Sequence, residues 1–171
     1  MLRRTTLAVT VLAALLATVV GTALGTPASS PTTPPTLTAE TARGPLVDRP
    51  LDVNMHFGPG TWVKLSTKGP IEVAYQRIVI EPGGTLGWHS HPGPTVVTIL
   101  DGTLSFYHAE DCDHEINYTA GQSFSNLPHE IHLARNESAT ENVVLYASYY
   151  VPSTTVGLRI DQPSPGADCP L

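Results

Sequence analysis

Positive charge is scarce in this sequence. Nine lysines and arginines stand against fifteen aspartates and glutamates, for a formal charge of −6 over 171 residues. No basic stripe runs through it, which sets aside nucleic acid and anionic membrane surfaces as partners. Apolar residues keep no helical period over any length, which argues against a helical fold. No internal repeat is present. Cysteine is nearly absent too, with Cys112 in "EDCDHE" and Cys169 in "GADCPL" as the only two.

The N-terminal part lacks charge and then lacks apolar residues. After Arg3 and Arg4, Thr5 to Gly25 is uncharged, and its most apolar part is Leu7 to Val20. "ALG" at Ala23–Gly25 offers the small residues a signal peptidase needs, with "TPA" at Thr26–Ala28 as a second candidate. Residues 1–25 are therefore expected to be a signal peptide, and the mature protein to be secreted with no membrane attachment. A retained anchor is the rival, but the apolar stretch is short for a span of about 20 residues. The arginine pair has little of the twin-arginine context. Cleavage would remove both arginines and take the charge from −6 to −8. Residues 26–45, rich in Pro and Thr, are expected to form a disordered linker. That leaves residues 46–171 as one domain with a C-terminal tail.

In an exported chain, two cysteines read first as one Cys112–Cys169 disulfide. It would close a loop of more than fifty residues, for about 4 kcal/mol of loop-closure entropy. The alternative, Cys112 and His114 as metal ligands, needs a reduced thiol outside the cell.

From Thr61 on, short β-rich runs alternate with turn signals: "TWVKLS", "IEVAYQRIVI", "TVVTIL", "TLSFYH" and "VVLYASYY". Such spacing predicts an all-β sandwich or barrel. Asp101–Gly102 in "ILDGTL" predicts a type I′ hairpin turn. In "GWHSHPGPTVV", His89 and His91 are two apart, so a strand would turn both to one side, about 7 Å apart at the backbone. Pro92 and Pro94 then turn the chain, and Thr95, Val97 and Ile99 share a face of the returning run. In "NLPHEIHLARN", His132 and Glu130 would share one face and His129 the other.

These residues resemble the two sequence motifs of a single-domain cupin, over about residues 60–152. The first motif reads Gly83, five residues, His89, one residue, His91, three residues, Thr95, six residues, Gly102. Every spacing fits, and Thr95 stands where the family has a glutamate. The second is matched at Gly121, Pro128, His132 and Asn136, one residue short between Pro128 and His132, with Glu130 near the expected glycine.

The resemblance implies an all-β jelly-roll barrel with a divalent metal on His89, His91 and His132. A neutral threonine hydroxyl is a weak donor to such an ion, so Thr95 does not replace the glutamate. Three outcomes stay open: a three-histidine site, completion of the ligand set by Glu130, or loss of metal with the barrel kept as a binding pocket. Three neutral imidazoles leave the ion its full charge, which favours an anionic further ligand. Iron(II) with O₂ is the first choice, in a dioxygenase-type oxidation of a small molecule. Manganese, nickel, zinc and copper also suit imidazole. The other function class is a non-catalytic extracellular module that binds a small ligand or metal. A homodimer is an expectation from the family alone. His108, His114 and His129 are expected at the surface, His56 precedes the barrel and is given no role, and Trp88 and Tyr107 are expected in the core rather than the pocket. Asn117 and Asn136 lie in glycosylation sequons, but a hydrogen-bonding role beside the barrel suits Asn136 better.

Overall fold

A strand buries every second side chain, so apolar alternation settles most of this architecture. The computed structural model describes residues 41–47 and 50–170. Among these residues there is no helix, and none long and apolar enough to cross a membrane. The strands are β1 (Thr41–Pro45), β2 (Asp52–His56), β3 (Trp62–Ser66), β4 (Ile71–Ile80), β5 (Thr85–Ser90) and β6 (Thr95–Asp101). They continue with β7 (Thr103–His108), β8 (Asp111–Thr119), β9 (Ser123–Asn126), β10 (His132–Arg135), β11 (Val143–Pro152) and β12 (Ile160–Asp161).

Ten strands form two five-stranded antiparallel sheets, ordered β1-β4-β11-β6-β9 and β12-β5-β10-β7-β8. β2 and β3 pair only with each other and leave Met55, Trp62 and Leu65 exposed. Alternation is strictest in β11, where Val143, Leu145, Ala147, Tyr149 and Val151 are all buried. Thr95, Val97 and Ile99 of β6 are buried on one side, as their spacing predicts. They face Leu104, Phe106 and Ala134 of the other sheet across a shared core. The fold is the expected jelly roll.

The second sheet also has a covered outer side. Trp88, Tyr107 and Leu133 form a separate buried cluster there, packed with Ile131, Cys112 and Cys169. The Cys112–Cys169 disulfide is formed, with 5.3 Å between Cα atoms, and Trp88 Nε1 donates to the Pro170 carbonyl at 2.8 Å. The C-terminal tail is thereby fastened over this side.

Two expectations are corrected. The linker expected over residues 26–45 gives way to strand by Thr41, since β1 pairs with β4 from Thr41↔Gln76 to Pro45↔Glu72. "TARGP" has no large apolar side chain, so no periodicity announces a strand. It is held by its backbone and by Arg43, which reaches Glu72 and the carbonyls of Thr155 and Val156. The expected signal peptide and the linker up to residue 40 lie outside the described residues. The second correction concerns Asp101–Gly102, which makes no hairpin, because β6 and β7 belong to different sheets. Gly102 has φ 76° while Asp101 lacks the positive φ that a type I′ turn requires. A Cβ on Gly102 would come 2.5 Å from the Asn142 carbonyl oxygen, so the corner between the sheets needs glycine.

Candidate metal centre

β5 and β10 lie side by side with His89 directly opposite His132. Directly paired residues project to the same side of a sheet, here the inner one. Trp88 and Leu133, one position away in each strand and also paired, project outward. His91 follows just past the end of β5, where the chain leaves the sheet. The three rings converge, with centroids 5.0 Å apart for His89–His91, 4.3 Å for His89–His132 and 5.1 Å for His91–His132. One nitrogen of each lies within 4.8 Å of the others, and all three residues are buried.

Each ring is fixed through Nδ1. His89 Nδ1 donates to the Gly87 carbonyl at 2.9 Å, His91 Nδ1 to Leu158 at 2.8 Å and His132 Nδ1 to Glu130 at 2.9 Å. A carbonyl oxygen only accepts, so the proton sits on Nδ1 and the lone pair on Nε2 in all three. Burial holds all three rings below the ordinary imidazole range, His89 well below it and His132 at about 3. The neighbouring rings deepen the shift of His89 and His132, and Arg159 that of all three. Three neutral imidazoles with lone pairs gathered in one buried place are a donor set suited to a divalent transition metal. The residues present fit such an ion.

A cavity of about 70 Å³ adjoins the rings. Its apolar wall includes Ile78, Val97, Leu104 and Phe106, and its polar lining includes Gln76, Thr95, Asn126, Tyr149 and Arg159. Thr95, at the position of the family glutamate, is fully buried and its hydroxyl has no hydrogen-bond partner. The same holds for Oδ1 of Asn126, its neighbour across β6 and β9. Tyr149 donates to Gln76 Oε1 at 2.9 Å, and burial raises its phenol to about 12, so it keeps its proton.

Glu130, one of the three outcomes left open for the ligand set, is not brought to the histidines. Its carboxylate accepts from the Leu127 amide at 2.7 Å and pairs with His108 Nδ1 at 2.7 Å. The cause is local. His129 has φ 61° and β10 begins only at His132, so strand alternation does not extend back to Glu130. Glu130 serves the site through its backbone carbonyl instead. His129 is exposed as expected, and its amide donates to the His91 carbonyl at 2.8 Å, tying the two motifs together. His56 and His114 are exposed. His108, expected in solvent, is half-buried and lies level with His132 across β7 and β10.

Trp88 and Tyr107 belong to the outer cluster, away from the cavity. Asn136 is fully buried beside the barrel, donating to the carbonyls of Ile80 at 3.0 Å and Glu141 at 2.7 Å. Leu158 and Arg159 were missed from sequence, because nothing in the tail marks a residue that returns to the site.

Residues 76–149 match the family model for the cupin domain. The chain carries a cupin domain. No curated protein matches the sequence. Solved structures similar to this cupin domain include an oxalate oxidase, at 22% identity, covering 47% of this chain and 46% of that one with a TM-score of 0.40. A cupin-2 domain protein of Shewanella frigidimarina has 18% identity, covering 44% and 68%, with a TM-score of 0.37. The DMSP lyase DddQ of Ruegeria pomeroyi has 15% identity, covering 55% and 45%, with a TM-score of 0.46. The matched part spans about half the length of the oxalate oxidase and of the lyase.

Proposed function

We propose that the protein binds one divalent metal ion at His89, His91 and His132, iron(II) first, and performs a dioxygenase-type oxidation of a small chelating molecule. One observation carries the metal reading: each Nδ1–H donates to a backbone carbonyl, which turns three Nε2 lone pairs to one buried cavity, that of His132 met only by a long 3.5 Å contact from Asn126 Nδ2. When bound, the ion would supply a redox-active Lewis acid at which O₂ and substrate meet. The chain's own part is to hold the three rings in one tautomer and to shield the reacting space with apolar walls. Tyr149 keeps a proton on its phenol oxygen. Manganese, nickel, zinc or copper on the same rings would keep the binding role.

A non-catalytic extracellular binding module is the second reading. It is favoured by the lining of the cavity, where none of the described residues is a carboxylate that could act as a general base. For either reading, the disulfide supports action outside the cell, with residues 1–25 as a cleaved signal peptide and residues 26–40 as a tether.

The test is made on protein recovered from the medium, with its N-terminus read by mass spectrometry. We expect a new N-terminus close to residue 26 and stoichiometric metal. His91→Ala should weaken metal binding by more than roughly 100-fold, the upper range for losing an outer partner alone. O₂ uptake with chelating substrates separates enzyme from binding module. Folded wild-type protein that takes up no metal would overturn the metal site, and an intact N-terminus would overturn the cleavage.

A further inference from the structure

Arg159 lines the cavity although it lies beyond the cupin domain, on the tail. Its backbone is held from both sides. Leu158 before it accepts from His91, and Ile160 and Asp161 after it form β12, paired with Ser90 and His89 of β5. Gln162 then donates from its amide to the Trp88 carbonyl at 3.0 Å and from Nε2 to Ser90 Oγ at 3.1 Å. The Arg159 side chain is steered by Asp161, whose Oδ1 accepts from Nε at 2.6 Å. Its terminal amino groups have no acceptor among the described residues.

The charge balance of the cavity is one-sided. None of the described residues lining it is acidic. Arg159 acts electrostatically on all three histidines and on Tyr149, so its charge is felt across the space. A divalent ion would add two more positive charges. The Thr95 hydroxyl and Asn126 Oδ1 wait unpartnered on the buried side, and such groups are costly unless a ligand or water meets them. The volume of about 70 Å³ admits only a handful of water-sized groups.

We infer that the cavity takes a small carboxylate, whose anion is received by Arg159 on the open side while its remaining polar group meets Thr95 and Asn126. Where the carboxylate also contacts metal, the inference rests on the proposed metal site. Arg159 offers a planar fork that suits a carboxylate, which lysine lacks.

Glycolate and its neutral counterpart glycolamide are the probes, titrated into the cobalt(II)-loaded protein and followed by visible absorption. Glycolate should perturb the spectrum, and glycolamide should bind at least about tenfold more weakly. Arg159→Gln should weaken glycolate by about tenfold with cobalt affinity not reduced, since a repelling charge is removed, and Arg159→Lys should fall between. Equal glycolate binding by wild type and Arg159→Gln would overturn the inference.

The same probes are followed on the metal-free protein by saturation-transfer NMR. Failure of cobalt to bind would defeat the proposed metal site while leaving this arm intact. There, contact with glycolate but not glycolamide, lost in Arg159→Gln, supports the carboxylate site. Equal contact by both probes, or none, overturns it.

Discussion

The two faces of the β5–β10 pair differ completely. Inward, His89 stands opposite His132; outward, Trp88 stands opposite Leu133. A one-residue step changes the chemistry from metal-type donors in a cavity to an apolar patch under the tail. The outer face also serves the inner one. By holding Pro170 and Cys169, the Trp88 side anchors a tail that returns the Leu158 carbonyl to His91 and Arg159 to the cavity. The lesson is that burying Trp88 and orienting His91 are one structural task.

The strongest test breaks the outer face and reads the inner one. Replacing both Cys112 and Cys169 by alanine removes a link across 57 residues, worth about 4 kcal/mol of loop-closure entropy. Chemical unfolding should register that loss. Metal affinity should fall roughly tenfold, since His91 loses part of its hold on Leu158. Unchanged affinity would show that the two faces are independent.

A smaller effect comes from pH. His89, His91 and His132 have depressed values in the fold and return toward 6.5 when unfolded. The unfolded chain therefore binds more protons as pH falls below about 6.5. The stability these groups contribute is full above that value and is lost progressively down to about 3, the value for His132. Melting curves of the metal-free protein should drop by roughly 5 °C or more across this window. His132→Gln should flatten the drop, and an unchanged slope would mean that the triad does not set it.

Smallest is Glu130→Gln. The carboxylate is spent on Leu127 and His108, while the site uses only the backbone carbonyl. Metal affinity should stay within about twofold, with about 1 kcal/mol of stability lost. A large loss of metal would return Glu130 to the ligand set.

The jelly roll was legible because β6 and β11 alternate cleanly and the histidine spacing resembles a known motif. The paired cysteines were legible because two cysteines in a chain expected to be exported read first as one disulfide. What escaped the sequence depended on backbone conformation or on distant contact. The positive φ of His129 ended strand alternation and turned Glu130 away. At Gly102 the chain changes sheet, though the local residues read as a hairpin. β1 is held by its backbone and Arg43, and Arg159 sits in a tail whose composition resembles a loose end.

The three Nδ1 hydrogen bonds also differ in how far along the chain each acceptor lies. Those of His89 and His132 are two residues back, at Gly87 and Glu130. That of His91 is 67 residues ahead. Two rings can thus be set as soon as their own turns form, while the third waits until nearly the whole chain has been made and the tail has docked. The orientation of His91 therefore depends on a docked tail, which acts as the latch of the triad.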